Sequence, residues 1–203
     1  MSEKKIPVIT INRQYAAYGR TIAAKVSERL GIPYYDKDFV KKTVAESGYD
    51  LDAITRDGED ITSKNRFVNA IMNIAVGSYP DYVKKIYEAE KEVILDLAKS
   101  PCIIVGRCAN YVLQEAGIPS FDVFCYGDLE KRKAHAAELD EAQGKDISKY
   151  IEQRDTYRNN FYKTFAGTDL DDCTRYTICL DTCTISPDVC ADIIVRLVSE
   201  YNK

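Results

Sequence analysis

The chain has 203 residues, 45% of them hydrophobic, with 28 Lys and Arg against 32 Asp and Glu and a formal net charge of −4. That length suits one domain with a real apolar core. The mild acidity, with basic and acidic residues interleaved, gives no attraction to nucleic acid or to an anionic membrane. No apolar run reaches the length of a membrane span, and Met1-Ser2-Glu3-Lys4-Lys5 leads into a strand with no signal-peptide core, which reads as a cytoplasmic protein. The seven cysteines contain no Cys-x-x-Cys, so they read as reduced, packed thiols rather than a metal cluster or a disulfide framework.

Taken in chain order, Val8–Ile11 is a buried strand and Ile22, Val26 and Leu30 form the apolar stripe of a helix that ends at Gly31. Pro33–Tyr35 is a short second strand, after which Asp36 is placed to cap a helix over 37–46. The segment 47–65 is polar, with turn signals at Gly48 and Asp57-Gly58, and reads as a mobile insertion. A helix with Phe67, Ile71, Ile74 and Ala75 on one face follows, then one from Pro80 with Val83, Ile86, Ile94 and Leu97 inward. Pro101–Val105 is a continuous apolar run suited to a central strand. Gly106-Arg107 opens a helix through Gln114, and Phe121–Tyr126 is a fourth strand. Helices over 129–139 and 147–165, a fifth strand over Tyr176–Leu180 and a last helix over Pro187–Tyr201 complete the chain. His135, on the charged helix 129–139, reads as a surface residue.

Strands alternating with helices predict right-handed crossovers and a three-layer α/β/α fold with a five-stranded parallel sheet. Ligands of such sheets gather at the C-terminal ends of the strands. Polar chemistry lies there: Arg13 to Thr21 after the first strand, Asp36 after the second, Gly106-Arg107 after the third and Asp181-Thr182 after the fifth. The first of these loops leads from strand to helix and ends in Gly19-Arg20-Thr21, the close of a G-x-x-x-x-G-K-[ST] phosphate loop with Arg for Lys and with Gln14 in the first glycine's place. The alternative is an ordinary strand-to-helix turn in which Gly19 relieves a tight bend. On the helix 147–165, Arg154 and Arg158 share one face with Asp155 beside them, either as an exposed ion-pair lattice or as a phosphate clamp.

These segments, in this order, resemble the cytidylate kinase-like family of P-loop nucleoside monophosphate kinases. The resemblance is carried by Gly19-Arg20-Thr21-Ile22-Ala23, Leu30-Gly31-Ile32-Pro33-Tyr34-Tyr35-Asp36, Ile103-Ile104-Val105-Gly106-Arg107, Leu129-Glu130-Lys131-Arg132, Arg154-Asp155 with Arg158, and Leu180-Asp181-Thr182 with Ser186. It runs nearly end to end and is weakest from 47 to 100. The family's Gly/Ser-rich loop is here Ala16-Ala17-Tyr18-Gly19, and Val105 and Cys108 stand where cytidylate kinases flank Gly-Arg with acids.

The resemblance implies a single P-loop kinase-type domain over 1–203, with a helical insertion at 37–100 on the acceptor side and a helical lid at 128–172. It implies ATP and Mg²⁺, with transfer of the γ-phosphoryl group to CMP, dCMP or a related small acceptor. Arg13, Tyr18, Gly19, Arg20, Thr21, Asp181 and Thr182 would bind the donor nucleotide and its phosphates, and Thr21 the Mg²⁺. Arg20, Arg154, Arg158 and Asp155 would be catalytic, and Asp36, Arg107 and Arg132 would hold the acceptor. The alternative reading is a non-catalytic binder of nucleotides or phosphorylated ligands on the same scaffold. A bare interaction domain is a third, since fifteen tyrosines suit an interface as well as a base. Neither nucleic acid nor membrane is an expected partner. The oligomeric state, a homodimer included, is left open.

Overall fold

The structure, a computed structural model, describes residues 7–36, 38–39 and 81–201. The expected mobile segment 47–65, the helix around Phe67–Ala75, all but 38–39 of the helix expected over 37–46 and most of the insertion expected over 37–100 lie outside the described residues.

Five parallel strands form one sheet in the order β2-β3-β1-β4-β5: β1 Val8–Arg13, β2 Tyr34–Tyr35, β3 Ile103–Val105, β4 Ser120–Tyr126 and β5 Ile178–Asp181. The helices are α1 Gly19–Leu30, α2 Asp81–Leu97, α3 Ala109–Glu115, α4 Leu129–Glu138, α5 Ile147–Ala166 and α6 Pro187–Glu200. This is the predicted three-layer α/β/α arrangement.

β1 lies in the middle of the sheet, with β3 on one side and β4 on the other, so Ile9 is in register with both Ile103 and Phe121. The strand is covered on both faces, and Val8 to Asn12 are all buried, the polar Thr10 and Asn12 being hydrogen-bonded to Asp122 and Asn110. One face packs Ile9, Ile11, Val105, Val123 and Leu180 against Ile22 and Val26 of α1 and Ile194 and Val198 of α6. The other packs Val8, Ile104 and Phe124 against Ile94, Val112, Leu113 and Tyr162. A smaller cluster joins Tyr15 and Ala16 to Ala136 of α4 and to Tyr150 and Ile151 of α5. The two helices of the expected lid are thus packed on the first loop.

Three element boundaries move for identifiable reasons. β1 runs two residues further than Ile11, because Asn12 and Arg13 keep their ladder pairing with Phe124 and Cys125. α1 starts at Gly19, with the Ile22 amide already bonded to the Tyr18 carbonyl at 2.9 Å. α3 starts at Ala109 rather than at Gly106-Arg107, since residues 106–108 all have positive φ and form the turn before it. Gly31 takes the left-handed C-terminal position of α1 at φ 65°, and its N–H donates to the Ser27 carbonyl. In α6 the inward face is Cys190, Ala191, Ile194 and Val198, which leaves Val189 and Leu197 exposed.

Candidate functional site

The C-terminal end of β1 is where neighbouring connections diverge to opposite sides of the sheet, and a crevice opens there. Two turns line it, the β1–α1 loop (residues 14–18) and the β3–α3 turn (residues 106–108). All four non-glycine residues with positive φ among the described residues lie in these turns: Ala16 (58°), Tyr18 (54°), Arg107 (58°) and Cys108 (54°). A side chain in this left-handed region costs about 1–2 kcal/mol, and such strain persists only where surroundings over-determine it.

In the β1–α1 loop the surroundings are side chains that grip the peptide groups one by one. The Tyr15 N–H donates to Asp155 Oδ1 at 2.6 Å. Arg132 Nη1 donates to the Tyr15 carbonyl at 3.1 Å and to Asp155 Oδ2 at 2.6 Å, while its Nε donates to the Gly127 carbonyl. The Ala16 carbonyl meets His135 Nδ1 at 2.8 Å. The Ala17 carbonyl accepts from Thr182 Oγ1 at 2.8 Å, and that hydroxyl lies 3.1 Å from the Tyr126 carbonyl. Three consecutive carbonyls are therefore held from outside. The amides of Ala16, Tyr18, Gly19, Arg20 and Thr21 donate to no acceptor among the described residues, the last three being the first turn of α1, where N–H groups lack intrahelical partners.

Tyr18 lies flat on His135, with ring centroids 3.8 Å apart and planes 7° from parallel. Its ring is turned to α4, and burial raises the Tyr18 phenol above its ordinary value. His135 is half-buried in this stack, which corrects its reading as a surface residue. Arg20 leans the other way, its Nε 3.4 Å from Asp36 Oδ2 and its Nη2 3.2 Å from Asp38 Oδ2. Asp36 Oδ1 also accepts from the N–H groups of Asp38 and Phe39, the cap expected of it. Thr21 is exposed on the first turn of α1.

The β3–α3 turn concentrates cations. Arg107 Nη1 lies 3.1 Å from Oε1 of Glu90, a carboxylate on α2 that is only 1% exposed. Burial is the largest influence on the Arg107 pKa and lowers it, but the charge of Glu90 together with those of Tyr157, Cys108 and Asp38 outweighs it and the value ends raised. Arg13 enters from the end of β1. A Cβ on Gly19 would crowd its Cγ and Cβ, so its passage requires that glycine, whereas one on Gly106 would meet only its movable Nη1, and it is the φ of 81° that calls for glycine there. Among the described residues its guanidinium has no carboxylate partner. Burial, then the charges of Arg158, Arg20 and Arg107, hold its pKa well below the usual arginine value. Arg158 Nη1 lies 3.4 Å from the Arg13 carbonyl, and its guanidinium carbon 5.4 Å from the Tyr15 ring centroid. Arg13, Arg107 and Arg158 line one cleft with Asn12, Tyr157 and Phe161. Below it, Asn12 Nδ2 donates to Asn110 Oδ1 and Asn110 Nδ2 to the Tyr162 hydroxyl.

The expected site residues therefore separate into three groups. Gly19, Arg20, Thr21 and Asp36 gather at the start of α1, and Arg13, Arg107 and Arg158 gather in the cleft beside it. Arg132, Arg154, Asp155 and Thr182 sit behind the loop. There Arg132 and Arg154 are 6% and 5% exposed, and the Arg154 guanidinium lies over the rings of Tyr15 and Tyr150. Arg132, Asp155 and Thr182 hydrogen-bond to the loop backbone, and Arg154 meets the loop through the Tyr15 ring. Asp181 caps its own turn, accepting from the N–H groups of Cys183 and Thr184. Glu90 and His135 were missed as site residues. A lone Glu in a run of helical surface charge carries no mark of burial in sequence, and a His on a charged helix carries none of stacking. Among the described residues no cluster of three or more His, Cys, Asp or Glu side chains is placed to hold a metal ion.

Comparison with known proteins bears on the family and the fold. The sequence profile of the cytidylate kinase-like family matches residues 8–184. A cytidylate kinase from Thermoplasma volcanium is 23% identical over 101 residues, an alignment covering 50% of this chain and 53% of that protein, so the chain matches about half the length of this relative. Among solved structures, an uncharacterized protein from Eubacterium ventriosum superposes with a TM-score of 0.70 at 18% identity, covering 96% of this chain and 99% of that one. A shikimate kinase from Bacteroides thetaiotaomicron gives 0.56 at 14% identity, with 96% and 97% covered. One from Acinetobacter baumannii in complex with shikimate gives 0.57 at 13%, with 98% and 97% covered. These structures share the fold of this chain. A profile that matches from the first strand to the turn after the last one, over the same Gly-Arg turns that build the crevice, means that the chain belongs to the cytidylate kinase-like family.

Proposed function

We propose that the protein is an ATP-dependent phosphotransferase of the nucleoside monophosphate kinase type, acting on CMP, dCMP or a related small acceptor. The observation that carries this is the β1–α1 loop: its carbonyls are tied back while its amides, together with the first turn of α1, keep their donors for an anion. Phosphoryl transfer asks the protein for positioning and charge neutralisation rather than covalent chemistry. Gly19, Arg20 and Thr21 would hold the donor phosphates, and Tyr18, with Asp181 at the end of β5, would border the donor side. Asp36 and Arg107 would hold the acceptor, and Arg158 would face the transferring group. Arg132, Arg154, Asp155 and Thr182 act as positioning residues for the loop.

The residues fit Mg²⁺ only as an ion carried by the donor. Thr21 offers one hydroxyl, and the rest of the oxygen shell would come from phosphates and water, the usual manner for this ion. When bound it would neutralise phosphate charge. α4 and α5, in the region 128–172 expected as a lid, would wall the crevice where they pack on the loop, helping to exclude water and so to protect the donor from hydrolysis.

A coupled assay with ATP, Mg²⁺ and each nucleoside monophosphate, with shikimate as a comparison acceptor, tests the reading. Turnover with a pyrimidine monophosphate is expected, and Arg20→Ala should lower kcat by about 10²-fold, the scale of losing one charge-stabilising donor. Arg20→Ala as active as the parent removes the donor site. One observation favours a second reading, a binder without turnover: Arg20 is already engaged by Asp36 and Asp38. That reading gains if a nonhydrolysable ATP analogue binds and no acceptor is phosphorylated.

A further inference from the structure

Glu90 is the one fully buried carboxylate among the described residues, only 1% exposed, in the middle of α2. It lies one turn after Tyr87 and one turn before Ile94, and both of these belong to the apolar core on that side of the sheet. A carboxylate taken out of water among apolar groups is costly, and exchanging a buried ion pair for packed hydrophobes is often neutral or stabilising. Stability is therefore a poor reason for an acid at this position. What the acid touches gives a better one.

It touches Arg107, whose Nη1 lies 3.1 Å from Glu90 Oε1 and whose side chain is 11% exposed. The other flank of Arg107 is α5, where its guanidinium carbon lies 5.9 Å from the centroid of the Phe161 ring. Tyr87 joins the two helices. Its ring stacks on Phe165 with centroids 3.7 Å apart and planes 10° from parallel, and it meets Phe161 edge-on at 6.2 Å. One face of α2 thus supplies both the carboxylate for Arg107 and the ring that packs α5 beside it. The backbone alone does not give this control. Residue 107 is the middle of three successive residues with positive φ, a turn that sets where the side chain starts but not where a long, flexible stem ends. Nε and Nη2 of Arg107 make no hydrogen bond among the described residues, so one edge of the fork is open while the other end is held. A planar fork held at one end presents its second edge in a set direction, which a point charge on a mobile stem does not.

We propose that Glu90 is a positioning residue of the acceptor side: it anchors Arg107 through Nη1, with Tyr87 and Phe161 bracing that anchor, so that the open edge of the guanidinium meets the acceptor at a fixed angle. Glu90 touches neither donor nor acceptor and acts through Arg107. The proposal rests on the kinase reading for the role of Arg107, while the anchoring itself is present without any ligand.

The test combines nitrogen NMR of the arginine side chains in the full chain, without ligand, with turnover of CMP by the same variants. Arg107 is assigned as the signal that the Glu90→Gln/Arg107→Met variant lacks. In the parent its Nη resonances should be separate, the mark of slow rotation in a held guanidinium. Glu90→Gln keeps the volume and removes the charge. The Nη resonances should then merge, and kcat/KM for CMP should fall about tenfold or more, the scale of a misplaced binding group. KM for ATP should stay within about twofold, since the donor loop is untouched. Glu90→Asp keeps the charge on a shorter stem and should lie between the two. Adding Glu90→Gln to Arg107→Met should cost less than about twofold further in kcat/KM, because a residue that acts through Arg107 then has nothing to act on. A merely structural role would give additive losses instead. Should Glu90→Gln not fold, Glu90→Asp carries the test, with broadened Nη resonances and a partial loss of kcat/KM expected. Nη resonances already merged in the parent, or unchanged in the folded Glu90 variant, overturn the proposal, as do additive losses or a kcat/KM for CMP within about twofold of an active parent. If the parent phosphorylates nothing and the resonances merge in Glu90→Gln, the anchor stands and the kinase reading falls. If the parent turns over CMP and the resonances stay separate in Glu90→Gln, the kinase reading stands and the anchor falls.

Discussion

The two turns that line the crevice reach similar left-handed backbones by different means. The β3–α3 turn contains a glycine at φ 81° and then spends its strain on Arg107 and Cys108, close to a buried ion pair with Glu90. The β1–α1 loop has no glycine between Gln14 and Tyr18 and is instead clamped by side chains from α4, α5 and the end of β5. The comparison shows that a loop of this shape forms without glycine when its carbonyls are held from outside. It needs its carbonyls turned outward, and glycine is only the least costly way to allow that. Here neighbouring hydrogen bonds at about 0.5–1.5 kcal/mol each, more where a charge takes part, offset the left-handed residues.

If the clamps carry the loop, Asp155→Ala should have the largest effect. It leaves the Tyr15 N–H unpaired and the buried Arg132 without its counter-charge. Discounted for the partial exposure of Asp155, the loss should be about 2–4 kcal/mol in urea unfolding. A loss below about 0.5 kcal/mol, the level of an ordinary surface change, would mean the loop holds itself. Ala16→Gly sharpens the comparison in the opposite sense. Freed of a left-handed Cβ at φ 58°, it should stabilise the protein by about 0.5–1 kcal/mol, whereas Ala24→Gly on α1 should destabilise it by a similar amount. Stabilisation absent at residue 16 would show that the left-handed backbone there carries no cost.

The smallest effect concerns the turn after β5. Hydrogen bonding, first from Thr184 and then from the N–H groups of Cys183 and Thr184, holds the Asp181 carboxyl below its ordinary value. A folded pKa below the unfolded one contributes stability at pH above about 4, the ordinary Asp value, and that contribution is lost as pH falls through the lower folded value. Asp181→Asn should therefore flatten the acid limb of a Tm-against-pH curve below pH about 4 and leave its shape above pH about 5 unchanged. An identical acid limb in the variant would show that the cap is not coupled to folding.

How far the sequence could be read depended on whether a feature was local. The apolar runs Val8–Ile11 and Pro101–Val105, the cap at Asp36 and the glycine after α1 are decided by neighbours in the chain, and each is found where expected or within two residues. The four polar segments after β1, β2, β3 and β5 could be placed at strand ends because parallel topology puts them there. The partner of each polar side chain was not legible. Arg132 and Arg107 both read as acceptor arginines, yet the first is buried behind the loop and the second faces the cleft. Arg154 and Arg158 read as one clamp four residues apart, yet α5 turns the first under Tyr15 and leaves the second lining the cleft.

The order and alternation of apolar segments by themselves determined the layers, the parallel sheet and the end of the sheet at which chemistry collects, since burial of periodic apolar faces is enough to select that arrangement. Which arginine faces an anion and which braces the backbone was decided only by the tertiary structure. A guanidinium chooses among carboxylates, carbonyls and rings brought from positions more than a hundred residues away, such as Tyr15 for Arg132, and no local pattern in the chain records that choice.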